Sequence, residues 1–247
     1  MSENLPTKFD PSKWADRFKD ISAGQRKAER AAGQFFSIRA GQLSFQGAPI
    51  PGNQMDCVVL EWIHERSLYA EKFGGDATSP ICFAFSATGE DMAPHADSAK
   101  PQNKTCEGCP HDKWGSADNG RGKACREGRR LALMSAADLA DPDKVAGATV
   151  GYLRVPVTSV KHFAAYVQGA VGATDLPLFC HITRVKVSPD AKNQVRVDFT
   201  RVGGIQDDAV MEAVFNRASA EASVIDFPYP KPDGDAKAAP AKQSKKF

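Results

Sequence analysis

Cys106 and Cys109 stand two residues apart, with Glu107 and Gly108 between them, and Cys125 follows after fifteen residues. A Cys-x2-Cys turn puts two thiolates within reach of one ion, at about 2.3 Å each for zinc. Gly108 supplies the tight turn, and Pro110 removes a backbone donor and stiffens the exit. Cys125 is the third ligand. Cys82, on the strand that enters the loop, is the first choice for the fourth. His95 and His111 are alternatives, although His111 lies so near Cys109 that it would crowd the turn. With Cys82 the set is all thiolate and closed, so the ion holds structure and does not activate water. A redox dithiol is the competing reading, but such motifs open a helix in a βαβ setting, and here Pro110 and a Gly-, Asn- and Asp-rich loop follow. An iron–sulfur cluster could use the same thiols. Cys57 and Cys180 lie in apolar strands and are expected as inert core residues.

Next to the cysteines lie the groups suited to phosphates and bases. Residues 121–130 hold Arg121, Lys123, Arg126, Arg129 and Arg130 against Glu127, a net +4, although the whole chain carries only +2. A local basic patch can bind phosphate even when the total charge is near zero. Trp114 sits beside Lys113 in the same polar loop, with few aliphatic neighbours to bury it. Single-strand binding needs cations along the backbone and aromatic faces for the bases, each stack contributing roughly 1–3 kcal/mol. Lys113, Trp114 and the 121–130 segment are therefore the candidate nucleic-acid residues. Arg39, Arg66, Lys72, Arg154, Lys186 and Arg201 are further cations. Phe36, Phe45, Trp62, Tyr69, Tyr152 and Phe199 are further aromatics, for which a place in the core is the simpler reading.

The elements that must position these groups read mostly as strands. FFSIR (35–39), QLSFQ (42–46), MDCVVLEWIHERS (55–67) and ICFAFS (81–86) are strand candidates between Gly and Pro turns. Residues 87–124 are polar and nearly free of aliphatic side chains, a length of loop that needs something to hold it. Strands resume at RRLALM (129–134) and YLRVPV (152–157), and a helix is expected over 159–170. LFCHITRVKV (178–187) and QVRVDFTRV (194–202) form the clearest hairpin. A helix over 207–222 carries Val210, Val214 and Phe215 on one face. Another over 10–31 begins at Asp10 and Pro11 and repeats Trp14, Phe18 and Ile21 at helical spacing. The expected organisation is an N-terminal helical arm (1–33), a main domain (34–225) with an insertion (87–125), and a basic disordered tail (226–247). The fold class is mainly β with peripheral helices, an antiparallel barrel or strongly bent sheet with a zinc-stabilised loop. Strands and helices do not alternate regularly, which argues against a doubly wound α/β fold.

The stretch ICFAFSATG…PQNKTCEGCPHDKWGSADNGRGKACREGRRLALM resembles a group of phage-encoded single-stranded DNA-binding proteins. The resemblance rests on Pro80, Cys82, Cys106, Cys109, Pro110, Trp114, Gly115, Ser116, Gly122, Lys123 and Cys125. It is strong over about 81–134 and weaker over the later hairpin. It implies an OB-like barrel with a zinc-held loop, binding single-stranded DNA in phage replication or recombination inside a bacterial host, alongside replication or recombination proteins. Such proteins commonly end in an acidic recruiting tail. Residues 231–247 instead carry five lysines against two aspartates, a net +3, which suits direct contact with DNA.

Other classes are weaker. No nucleophile motif or P-loop is present, and GRGK (120–123) lacks the phosphate-loop spacing. His64 with Glu61 and Glu65 lacks the two-histidine helical pattern of a zinc protease, and the acids are too scattered for a nuclease. An enzyme is not expected. The second reading is a zinc-stabilised adaptor that binds a polymerase or nuclease subunit without touching DNA. Hydrophobic residues at 42% and charged residues at 25% allow an ordinary globular core. No run approaches the roughly 18 apolar residues of a membrane span, and the first residues lack a secretory pattern, so a cytoplasmic location is expected.

Overall fold

A computed structural model describes residues 34–70, 79–118 and 120–230. The helix expected over 10–31, Lys72 and the tail beyond 230 lie outside the described residues. The chain divides into two compact units. One comprises residues up to His64 with Gly128–Phe227, and the other Glu65–Glu127 with the residues from Pro228 onward. The second unit therefore begins well before the 87–125 insertion that the sequence suggests.

The first unit is built on antiparallel sheets with a few helices. β1 (Phe36–Arg39), β2 (Gln42–Phe45) and β3 (Ala48–Pro49) form a small three-stranded sheet. β4 (Gln54–Leu68), β6 (Arg126–Ser135), β7 (Val150–Val155), β8 (His181–Asp190) and β9 (Gln194–Gly204) contribute to a larger one, in the order β7-β6-β4-β8-β9. The β8–β9 hairpin pairs from His181↔Gly204 to Asp190↔Gln194, with a bulge between Ile182 and Thr183. β6 pairs with β7 from Arg129↔Val155 to Met134↔Val150. Among the described residues these pairings do not close into a barrel.

Alternation sets the inward face of β8, where His181, Thr183, Val185 and Val187 are buried. On β6, Leu131, Ala132, Leu133 and Met134 are all buried, as expected for a strand covered on both faces. α2 (Val160–Thr174) adds Phe163, Tyr166 and Ala170, three and four residues apart, to the same core. α1 (Pro142–Gly147) is a short helix that the pattern did not suggest; Asp141 caps it by accepting from the Lys144 amide at 2.9 Å. α3 (Asp208–Ala222) is capped by Asp207, which accepts from the Val210 amide at 2.9 Å.

One expectation changes here. α3 buries Val210, Val214, Ala218 and Glu221, whereas Phe215 is 55% exposed and meets Phe179 at 6.1 Å between ring centroids. One residue step is 100° of helix, enough to turn Phe215 off the face that Val214 occupies. Among the aromatics considered for base stacking, Tyr152 is buried. Trp62 packs edge-on against Phe163 at 5.4 Å, and Phe199 does so at 5.1 Å. Phe36 and Phe45 pair at 4.6 Å. Apart from Phe45, these rings lie in or against the core. Cys57 and Cys180 are buried as the sequence suggested, and burial raises both thiol pKa values.

Candidate functional site

The cysteine loop belongs wholly to the second unit. β5 (Cys82–Ser86) starts at Cys82, and the Ile81 amide donates to the Leu68 carbonyl at 2.8 Å. The chain then wanders through polar residues until the Cys106 amide donates to the Met92 carbonyl at 2.7 Å. Cys109 N–H donates back to the Cys106 carbonyl at 3.3 Å, closing the turn. Gly108 takes φ +72° there, a conformation that a residue with a Cβ resists. Pro110–Asp112 forms one 3-10 turn, in which the Asp112 amide donates to the Cys109 carbonyl at 3.0 Å.

Cys125 returns to this turn through a backbone bond to the His111 carbonyl at 2.9 Å. Between them the loop is laced internally. Ser116 Oγ donates to the His111 carbonyl at 2.9 Å and accepts from the Ala124 amide at 2.9 Å. The Gly115 amide donates to the Gly122 carbonyl at 2.7 Å. Trp114 stands on this loop, 81% exposed. A ring so open gains almost nothing from folding, which is the arrangement a stacking surface requires.

Cys82, Cys106, Cys109 and Cys125 all line one cavity of about 20 Å³, together with Arg66, His111 and Asp112. About 10–15 Å³ suffices for one water-sized occupant, so the space has room for a single small occupant such as an ion. Burial raises the thiol pKa values of Cys82, Cys106 and Cys125, the last to about 12, with the neighbouring cysteines adding to the effect. Arg66 opposes that shift at Cys106 and Cys125. Among the described residues, no three His, Cys, Asp or Glu side chains form a group that could hold a metal ion as they stand. The four cysteines thus share a cavity wall rather than a finished ligand sphere.

The alternative ligand His95 does not line the cavity. Its ring stacks on Phe83 at 5.1 Å, and its Nδ1 accepts from the Asp97 amide at 3.1 Å. The candidate phosphate contacts divide. Lys113, Arg121 and Arg126 are exposed in the second unit, and Arg126 lies over the Tyr69 ring at 5.7 Å. Lys123 Nζ bonds to Asp112 Oδ1 at 2.9 Å. Arg129 belongs to the first unit and donates to the Gly128 carbonyl at 2.8 Å.

Arg130 departs most from expectation. It is wholly buried in the first unit, donates to the Ile225 and Phe227 carbonyls at 3.1 and 2.7 Å, and lies 4.5 Å from the Phe227 ring centroid. It ties a C-terminal segment to β6 and does not face solvent. Sequence reasoning gave Asp112 no role, yet this carboxylate takes both Lys123 and Arg66, the latter at 2.8 Å. Its position three residues after Cys109, on the first turn after the cysteine pair, was the available signal.

Comparison with known protein families, with curated proteins and with solved structures returned no match.

Proposed function

We propose that the protein binds single-stranded DNA without sequence preference, through a loop held by a structural zinc ion, in phage-type replication or recombination. The observation that carries this reading is the pairing of two features in one loop. Four cysteines from three separate stretches line one atom-sized cavity, and a tryptophan 81% exposed stands between the second and third of those stretches. The donors suit zinc: all four are sulfur, and zinc accepts a closed set of four thiolates. Zinc, when bound, would supply a cross-link among Cys82, Cys106, Cys109 and Cys125. Trp114, Lys113, Arg121 and Arg126 would then meet the strand from a loop already ordered, so that less entropy is lost on binding. The finer fold reading, an OB-like barrel, rests on the sequence resemblance. The bulged β8–β9 hairpin is compatible with the bending such a barrel needs.

The test is a titration of labelled oligo-dT with the full chain over a range of salt. Counterion release makes affinity fall steeply as salt rises, with a log–log slope of about −0.7 per phosphate neutralised. An absence of oligo-dT binding at low salt would overturn this reading and favour the adaptor, for which the same exposed Trp114 would be a protein contact.

A further inference from the structure

Among the described residues lining the cysteine cavity, Arg66 is the one lysine or arginine. Its Nη1 donates to Asp112 Oδ2 at 2.8 Å, and both side chains are mostly buried, with 18% exposure each. Asp112 in turn follows Cys109 by three residues, and its backbone amide is bonded to the Cys109 carbonyl. The guanidinium is thus held against the cavity by a carboxylate that the cysteine turn itself positions. Lys123, on the other oxygen of Asp112, is the more exposed member at 35% and does not line the cavity.

Four thiolates around a divalent ion leave a net charge of −2 in a partly buried space. Uncompensated charge there is costly, because water is largely excluded. Groups just outside a ligand set typically change metal affinity by 10–100-fold. Building on the zinc reading above, we infer that Arg66, oriented by Asp112, is the positioning residue of the metal centre and offsets the charge of the four-thiolate site. The carboxylate of Asp112 is there to aim the guanidinium, with its second oxygen tying in Lys123 from the returning limb of the loop. Arg is suited to this task because its planar fork can face a carboxylate while keeping further N–H donors for sulfur.

The test uses the full-length chain, prepared metal-free under reducing conditions and titrated with Zn2+ against a chromophoric chelator, with Co2+ spectra as a second readout. The wild type is expected to take one ion and to give cobalt the charge-transfer bands of thiolate ligation. Arg66→Gln is expected to weaken zinc binding by about 10–100-fold, with Arg66→Lys recovering part of the loss. Arg184→Gln, which breaks the equally short Arg184–Asp56 pair of the first unit, should leave zinc affinity unchanged. Thermal unfolding of the metal-free variants separates a general loss of stability from a loss of metal affinity. Equal zinc affinity in the wild type and Arg66→Gln would overturn the inference while leaving the zinc reading intact. A wild type that binds neither Zn2+ nor Co2+ would overturn both.

Discussion

Cys125 and His111 are joined by a backbone hydrogen bond of 2.9 Å, and that bond closes the loop on which Trp114 is carried. Apart from Trp114, which is itself exposed, the residues between them are polar or small, so the loop has no core of its own. Its shape comes from the Ser116 bridge, the Gly115–Gly122 bond and the ion pairs of Asp112.

Trp114→Ala should therefore separate binding from folding. A side chain 81% exposed contributes little to stability, and its loss should change unfolding free energy by no more than about 0.5 kcal/mol. Affinity for oligo-dT should fall by about 1–3 kcal/mol. Fluorescence anisotropy and urea denaturation of the same preparation measure the two effects.

The cations of the loop should not be equivalent. Lys113 is exposed, whereas Lys123 is held by Asp112. Lys113→Ala should lower the magnitude of the salt slope by about 0.7, the value for one phosphate on a single strand. Lys123→Ala should change the slope less and the stability of the loop more. Salt-dependent titrations of the two variants give the comparison.

Gly151 on β7 should tolerate no side chain. A Cβ there would lie 2.5 Å from Phe36 Cε2 and 2.7 Å from Phe45 Cε2. Phe36 packs against the core and Phe45 pairs with it at 4.6 Å, so Gly151→Ala should destabilise the first unit by about 1–3 kcal/mol. The urea midpoint measures this.

His181 gives the pH dependence a sign. It is fully buried, Arg201 Nε donates to its Nδ1 at 3.2 Å, and its Nε2 lies 3.1 Å from Thr174 Oγ1. Burial first, and the Arg201 charge second, lower its pKa below the ordinary 6.5. The unfolded chain then takes up the proton at higher pH than the folded one. This contribution is constant above about pH 6.5 and erodes as pH falls through the window below it, by up to about 1.4 kcal/mol per pH unit. Stability measured from pH 7.5 to 5 should fall less steeply in His181→Gln than in the wild type.

Much of this was legible in the sequence, for physical reasons that differ by element. The β8–β9 hairpin announces itself through β-branched residues alternating across a polar turn. The exposure of Trp114 follows from the absence of aliphatic neighbours nearby in sequence. Arg130 was not legible. A count of cations in 121–130 cannot say which side chain points inward, and the carbonyls that hold Arg130 come from residues more than ninety positions away. The boundary between the two units was hidden too. Its first crossing falls at His64 and Glu65, within the continuous strand β4, where no glycine or proline marks it, whereas the later crossings fall at Gly128 and Pro228. The burial of Phe199 and Trp62 depends on α2 lying against them, a tertiary fact that strand periodicity does not carry.

The central claim is that metal at the four cysteines readies the Trp114 loop for single-stranded DNA. Its most direct test compares oligo-dT affinity of the full chain before and after chelation, with metal loss verified by elemental analysis. The account predicts a drop of about tenfold or more, reversed by added Zn2+. Unchanged affinity in protein shown to be metal-free would contradict it.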